Sequence, residues 1–110
     1  MLKVIIVEDE DLLRDGLSTC VNWEKLGCEL AGAAEDGIKA LALMEKVSPD
    51  VVITDIKMPH MDGIELSEQI REKYPRIKIV IISGYDEFEY ARRALKAGVS
   101  EYILKPVNLE

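Results

Sequence analysis

Several residue types are scarce in this sequence, and each shortage narrows the classes of protein to consider. The 110 residues include one histidine, one phenylalanine and one tryptophan, and 21 acidic residues outnumber 14 basic ones, giving a net charge of −7. No basic block occurs, so this domain is a poor candidate for binding nucleic acid by itself. No secretory segment and no long apolar span occurs either, so we expect a soluble, cytoplasmic protein with no membrane partner.

Cysteine is also scarce. Cys20 and Cys28 fall among apolar residues and lack the spacing of metal ligands. A pair of buried free thiols in a reducing compartment is the favoured interpretation, and a disulfide is the alternative.

What is present fits a single domain that spans residues 1–110, because this length can bury one core and not two. Apolar residues make up 48% and charged residues 32%, which is an ordinary globular balance. Neither repeats nor low-complexity tracts interrupt it.

Short apolar runs alternate with segments of helical periodicity. The pattern predicts strands at residues 3–7, 28–34, 51–54, 77–82 and 100–104. Helices are expected from Leu12 to near Trp23, along a face of Ile38, Leu41, Ala42 and Met44, from Ile64 to Tyr74, and from Asp86 to Ala97, closed by Gly98. We therefore predict an α/β fold, a doubly wound five-stranded parallel sheet with helices on both faces, whose strand order the pattern does not give.

The alternation also calls for one more helix after the Lys105-Pro106 pair, and the sequence ends four residues beyond it. Part of one sheet face would then be uncovered. We expect either a longer protein or another chain to cover that face.

Polar residues stand where these predicted strands end. Glu8 and Asp9 follow the first strand, Asp55 the third, Ser83 the fourth and Lys105 the fifth. Parallel strands bring their carboxyl ends to one edge of a sheet, so these side chains should converge. Acids crowded together repel one another unless a cation is present, and ligands that are all oxygen suit Mg²⁺. A carboxylate nucleophile, a hard cation, a lysine and a hydroxyl are what aspartyl-phosphate chemistry requires.

Plainer interpretations exist for each residue taken singly. Acids at strand ends often cap helices, Ser83 precedes a glycine as in a turn, and Lys105-Pro106 could end a strand. His60 is most simply a surface loop residue, and Tyr102 an aromatic that covers the sheet edge. Such coincidences at the ends of successive strands favour the functional interpretation.

Taken together, these residues resemble the receiver domain of two-component response regulators, over nearly the whole chain. The resemblance implies the flavodoxin-like receiver fold, with the last helix missing or truncated. It implies that Asp55 accepts the phosphoryl group and that Glu8, Asp9, Asp55 and the backbone carbonyl of Lys57 hold Mg²⁺, for which Mn²⁺ can substitute.

The resemblance also assigns roles beyond the metal. Ser83 and Lys105 act with Asp55 in the chemistry, and Ser83 and Tyr102 occupy the switch positions. Gly63 fits the loop pattern of the family, whereas Glu8 stands where aspartate is common.

Two segments, at residues 23–27 and 83–91, look like the subgroup whose output is an AraC-type helix-turn-helix domain. The resemblance therefore implies a phosphorylation-dependent switch that receives phosphate from a sensor histidine kinase and regulates transcription. Its output DNA-binding domain would lie beyond residue 110 and would make the only DNA contacts, and a homodimer would form on phosphorylation.

Two other functions are alternatives for a carboxylate at the end of a strand. An aspartyl-nucleophile phosphatase of the haloacid-dehalogenase-like type carries a second aspartate two residues after the nucleophile as its general acid, and that position here is Lys57. A flavodoxin-like cofactor binder needs a phosphate-binding loop after the first strand, where four acids stand instead. We therefore expect self-phosphorylation and autodephosphorylation rather than enzymatic turnover.

Overall fold

The structure is a computed structural model. It describes residues 1–83, 92, 93, 96, 98 and 101–104, and for residues 83 and 101–104 it describes the backbone alone. The strands are β1 (Leu2–Val7), β2 (Cys28–Ala34), β3 (Val51–Asp55), β4 (Lys78–Ser83) and β5 (Glu101–Leu104). The helices between them are α1 (Asp11–Thr19), α2 (Gly37–Val47) and α3 (Gly63–Lys73), with a 3-10 turn at Glu24–Leu26. The predicted alternation of strands and helices is confirmed.

The strands form a five-stranded sheet in the order β2-β1-β3-β4-β5, and every neighbouring pair is parallel. The chain moves from β1 to one side of the sheet and then returns to place β3 on the other side of β1. Ligand crevices of open α/β sheets form where the strand order reverses in this way, outside the carboxyl ends of the strands. The predicted doubly wound fold is confirmed, and the order identifies the β1–β3 boundary as the place to look for a site.

Residues of β1 alternate between two apolar cores because successive strand side chains point to opposite faces. Ile5 and Val7 belong to the larger core, with residues of α2 and α3. Ile6 belongs to the smaller core, with Leu17 of α1. Helices therefore cover both faces of the sheet, as predicted.

Helix α1 is shorter than predicted. It ends at Thr19, whereas the sequence pattern extended it to near Trp23. Trp23 instead turns back, and its Nε1 donates a hydrogen bond of 3.0 Å to the carbonyl oxygen of Leu17 in the last turn. The last carbonyl groups of a helix have no intrahelical partner, and the indole supplies a donor to that of Leu17. This contact stabilises the end of α1 at Thr19.

The predicted apolar face of α2 is confirmed at Met44, which is buried, and at Leu41, which packs partly buried against the larger core, and is wrong at Ile38 and Ala42. The buried residues are Gly37, Ala40 and Met44, whereas Ile38 is 54% exposed and Ala42 is exposed. A Cβ at Gly37 would lie 2.8 Å from Cγ of Met61, so the helix presents small residues where it approaches the β3–α3 loop most closely. Close approach, rather than the size of the apolar side chain, decides which face is buried.

Other expectations had mixed outcomes. Both cysteines are free, as expected, but the prediction that they are buried was wrong, because Cys20 is exposed and Cys28 only partly buried. Of the predicted helix from Asp86 to Ala97, Arg92, Arg93 and Lys96 are helical and the rest lies outside the described residues. Gly98 has φ +91°, in the left-handed region that a glycine at the end of a helix commonly adopts, as predicted.

Candidate functional site

The pairing of β1 with β3 places two predicted site residues side by side. Val7 is in register with Thr54, and the residues that follow them are Glu8 and Asp55. Because the two strands are parallel, both carboxylates emerge at the same edge of the sheet. The sheet register therefore brings together acids that are far apart in the sequence.

Glu8, Asp9 and Asp55 form an acidic cluster, in which one ligand oxygen from each residue lies within 4.8 Å of those of the other two. Glu8 is 1% exposed and Asp55 4% exposed, whereas Asp9 is exposed. The cluster is thus a largely buried pair of carboxylates with a third at its solvent side. Carboxylates this close repel one another, so the arrangement favours binding of a cation.

Three hydrogen bonds fix Glu8 at the start of the β1–α1 loop, through its amide, its carboxylate and its carbonyl group. The amide of Glu8 donates a hydrogen bond of 3.0 Å to the carbonyl oxygen of Ala34 at the end of β2. Its carboxylate oxygen Oε2 accepts a hydrogen bond of 3.1 Å from the amide of Glu10. Its carbonyl oxygen accepts one of 2.8 Å from Nη1 of Arg14. Backbone and side chain of Glu8 are therefore both fixed.

The β3–α3 loop holds Asp55 through the backbone. Its Oδ1 accepts a hydrogen bond of 2.7 Å from the amide of Ile56, and its carbonyl oxygen accepts one of 2.9 Å from the hydroxyl of Thr54. The amide of Gly63 donates a hydrogen bond of 2.6 Å to the carbonyl oxygen of Ile56. A Cβ at Gly63 would overlap the carbonyl oxygen of Asp55 and lie 3.0 Å from Cα of Ile56, so only glycine fits this close approach.

A cavity of about 560 Å³ opens beside Asp9. Its walls include Ile38, Pro59 and His60, and Lys39 also contributes. His60 is exposed and has φ +70°, in the left-handed region. Its expected position in a surface loop is confirmed. Asp9, the exposed member of the acidic cluster, therefore faces a cavity whose walls combine apolar and charged groups.

The helix-capping interpretation applies to other acids of these loops. Asp36 caps α2 by accepting a hydrogen bond of 2.9 Å from the amide of Lys39, and Asp62 caps α3 by accepting one of 2.8 Å from the amide of Glu65. Asp55, by contrast, accepts from the amide of the next residue and lies in the cluster. The structure thus separates capping acids from clustered acids, which the sequence pattern did not.

The remaining predicted site residues are placed less fully. Ser83 ends β4 and is in register with Leu104, the residue before Lys105, and Tyr102 lies within β5. The side chains of Ser83 and Tyr102, and the whole of Lys105, lie outside what the structure describes. Lys57 is exposed in the loop after Asp55. Their expected roles stay predictions.

Sequence reasoning missed two residues that hold the cluster in place. Arg14 was assigned only to the helix pattern of α1, and Thr54 only to a strand. Both act through backbone carbonyls, of Glu8 and Asp55 respectively. The spacing of Asp11 and Arg14 predicts their ion pair. No sequence pattern predicts the contact of Arg14 with the loop before the helix.

Comparison with known families decides which proteins share this arrangement. The family model described as "Response regulator receiver domain" matches residues 4–110. The chain belongs to the response regulator receiver domain family. The expected family and fold are therefore confirmed. Receiver domains are signalling domains and not enzymes in the usual sense.

Relatives of this receiver domain agree with the assignment. It is 42% identical over 108 residues to the transcriptional regulatory protein YesN of Bacillus subtilis, covering 98% of this chain and 29% of YesN. The receiver domain of AraT, a response regulator from Geobacillus stearothermophilus, superposes with a TM-score of 0.91 at 40% identity, covering 98% of this chain and 84% of that one.

A two-component transcriptional regulator AraC from Clostridium phytofermentans superposes with a TM-score of 0.84 at 39% identity, covering 99% of this chain and 83% of that one. The chain spans less than half the length of the curated relatives, 29% of YesN and 42% of the transcriptional regulatory protein HptR of Staphylococcus aureus.

Within the described residues, no helix is both long enough and apolar enough to cross a bilayer.

Proposed function

We propose that this receiver domain accepts a phosphoryl group on Asp55 in the presence of Mg²⁺. The observation that supports the proposal is the acidic cluster, with ligand oxygens of Glu8, Asp9 and Asp55 within 4.8 Å of one another at the carboxyl edge of the sheet. In this arrangement Asp55 is the acceptor, and Glu8 and Asp9 are the residues that complete the metal site.

The donor set fits Mg²⁺. The clustered side chains offer only carboxylate oxygens, with neither imidazole nor thiolate, and hard cations prefer oxygen. The backbone carbonyl of Lys57 is proposed as a further ligand, and Mn²⁺ is expected to substitute. When bound, the ion neutralises charge on the carboxylates and on the incoming phosphoryl oxygens.

Asp55 suits the role of nucleophile because its orientation is fixed before any donor arrives. The amide of Ile56 holds Oδ1, and the hydroxyl of Thr54 holds the carbonyl of the same residue. A carboxylate oxygen attacks the phosphorus of a phosphohistidine, the P–N bond breaks, and an acyl phosphate forms. The electron pair of the P–N bond returns to the imidazole nitrogen, which takes up a proton.

Ser83 and Lys105 are proposed to contact the phosphoryl oxygens once Asp55 is phosphorylated. Support comes from the register, because Ser83 pairs with Leu104, the residue that precedes Lys105 in the chain. Tyr102 is proposed as the second switch residue. A phosphoryl group that contacts Ser83 and Lys105 in only one of two conformations would shift the population toward that conformation.

In the whole protein, we expect a sensor histidine kinase as donor and a DNA-binding output domain beyond residue 110. Support comes from relatives that are named transcriptional regulatory proteins and are much longer than this chain. The expected outcome of phosphorylation is regulated transcription in the cytoplasm, with homodimer formation as the response. Autodephosphorylation would end the signal.

The alternative of a haloacid-dehalogenase-like phosphatase gains no support from the loop after Asp55. Lys57 stands where such an enzyme needs an acid, and the nearest carboxylate further along, Asp62, caps α3. Without a positioned proton donor, turnover of small phosphate esters is disfavoured.

The experiment that tests the acceptor is phosphorylation by acetyl phosphate with Mg²⁺, followed by mass spectrometry of the intact protein. Wild type should gain one phosphate and Asp55→Asn none. Asp62→Asn is the matched control, since it removes a charge from the same loop and asparagine still caps a helix. If Asp55→Asn takes up phosphate like the control, the acceptor is a different residue.

The metal site is tested by titrating Mg²⁺ into the protein in a calorimeter. Asp9→Ala should abolish binding, whereas Asp15→Ala, which removes an exposed acid of α1, should leave it nearly unchanged. Equal affinity of wild type and Asp9→Ala would rule out this site.

A further inference from the structure

Arg14 connects α1 to the loop that carries two members of the acidic cluster. Its Nη1 donates a hydrogen bond of 2.8 Å to the carbonyl oxygen of Glu8, and its Nη2 contacts Oδ1 of Asp11 at 2.5 Å. The side chain of Arg14 is only 20% exposed, while that of Asp11 is 80% exposed. The guanidinium is therefore fixed between a backbone carbonyl and a carboxylate, with both of its terminal nitrogens in use.

The contact with Glu8 bears on the cluster because Glu8 is the last residue before the chain leaves the sheet. Its amide is held by Ala34 of β2, and Arg14 holds its carbonyl. The amide lies in the peptide group before the α-carbon of Glu8 and the carbonyl in the peptide group after it, so the two contacts fix the backbone on both sides of Glu8. The contact with Arg14 is the one that fixes the peptide group joining Glu8 to Asp9. Arg14 makes these contacts with the carbonyl oxygen of Glu8 and with Asp11, and neither contact involves a carboxylate of the acidic cluster.

We propose that Arg14 is a positioning residue for the metal site, acting through the backbone carbonyl of Glu8. The proposal rests on the function proposed above, because it concerns how the same cation is held. Outer groups that orient metal ligands commonly contribute about 10- to 100-fold to metal affinity. An arginine suits the position because its planar fork can donate in two directions at once.

The charge of Arg14 gives the test a clear sign. A positive charge near a cation site repels the cation, so its removal should strengthen Mg²⁺ binding if charge were the only effect. Loss of the hydrogen bond to Glu8 should weaken binding, because Glu8 and Asp9 would then sample orientations in which they do not meet Asp55. The two effects have opposite signs, and the proposal requires that the second prevails.

The experiment measures the Mg²⁺ dissociation constant of Arg14→Gln by calorimetry, well below the unfolding temperature. We expect about tenfold weaker binding than in wild type. The matched control is Lys46→Gln, because it removes an exposed positive charge from the last turn of α2 and leaves the hydrogen bond between Arg14 and Glu8 in place. Binding by the control should be unchanged or slightly tighter.

A second variant covers the case in which Arg14→Gln folds poorly. Arg14→Lys keeps the charge, but a single ammonium group lacks the fork that joins Glu8 to Asp11, so we expect only partial recovery of affinity. Thermal unfolding in EDTA separates the readouts, since a merely structural role would lower the unfolding temperature and leave the affinity of the folded protein unaltered.

Affinity in Arg14→Gln and Arg14→Lys equal to or tighter than that of wild type would overturn the proposal while leaving the metal site intact. Wild-type protein that binds no Mg²⁺ would overturn the site and the positioning role together. Weaker binding in both variants, with the Lys46→Gln control unaffected, would support the role of Arg14.

Discussion

The two loops that supply the acidic cluster are held in place by different means. The β1–α1 loop depends on a side chain, because Arg14 reaches back from the helix to the carbonyl of Glu8. The β3–α3 loop depends on backbone packing, because the amide of Gly63 donates to the carbonyl of Ile56 and its α-carbon lies against Asp55. The β1–α1 loop is thus fixed by the guanidinium group of Arg14, which a substitution can remove. The β3–α3 loop is fixed by a close backbone contact that exists because Gly63 has no side chain.

This difference predicts different sensitivities to substitution. Removing a side-chain donor leaves the backbone path available, so the loop should loosen without being displaced. Adding an atom where backbone already lies in contact forces the path to move, because packed interiors yield little. The β3–α3 loop should therefore tolerate less change than the β1–α1 loop, although both position carboxylates of one site.

The largest effect is expected for Gly63→Ala. The added Cβ would overlap the carbonyl oxygen of Asp55, so the loop or the start of α3 must shift, which should lower the free energy of unfolding by about 3 kcal/mol. Urea denaturation in EDTA measures this quantity. The shift should also weaken Mg²⁺ binding, because it moves the backbone that carries Asp55.

Gly27→Ala is the matched control for this substitution. Gly27 has φ +77° and has nothing within 4 Å of an added Cβ, so alanine incurs only backbone strain there, about 1 kcal/mol. Similar losses at the two glycines would show that the contact with Asp55 does not limit the β3–α3 loop.

A second effect, opposite in sign, is expected for Asp55→Asn without metal. The substitution removes one of the clustered charges and keeps an oxygen that can accept from the amide of Ile56. Relief of repulsion should raise the free energy of unfolding by about 2 kcal/mol in EDTA. Saturating Mg²⁺ should reverse the order, since wild type binds the ion more tightly and gains more stability.

Asp15→Asn serves as the charge control, because Asp15 is exposed on α1. If both variants gain the same stability in EDTA, the gain reflects net charge and not crowding in the cluster.

The smallest effect is expected for Asp62→Ala, which removes the cap of α3 but leaves Gly63 in place. Loss of the hydrogen bond to the amide of Glu65 should lower the free energy of unfolding by about 1 kcal/mol. Asp62→Asn should retain most of that stability. A loss as large as that of Gly63→Ala would mean that the loop depends on its cap and not on the close backbone approach.

Helix α2 shows where sequence periodicity was insufficient. The helical spacing placed Ile38 on the buried face together with Met44, yet Ile38 is exposed, and Gly37 and Ala40 are buried beside Met44. Periodicity identifies a helix but locates its buried face only to within about one residue. Contact with Met61, a residue of a different loop, selects the face.

The charged residues of the α2 and α3 ends show the same dependence on tertiary structure. Lys73 of α3 donates a hydrogen bond of 3.2 Å to Glu45 of α2, and this contact raises the pKa of Lys73 above its ordinary value. Arg71 donates to the carbonyl oxygens of Pro75 and Gly98, at 2.7 and 2.8 Å. Glu45 and Gly98 lie 28 and 27 residues away from their partners along the chain, so no local pattern predicts these two contacts.

The sequence by itself determined the strands, the alternation with helices, and the acids that follow β1 and β3, because a short apolar run that stops at a carboxylate is a local signal. Tertiary structure alone decided that β1 lies beside β3, that three carboxylate oxygens come within 4.8 Å, and that Arg14 holds the first loop. The first two depend on strand register and on contacts between residues remote in the chain, and the third on a side chain that reaches from a helix back to the loop before it. Local periodicity carries no information about either.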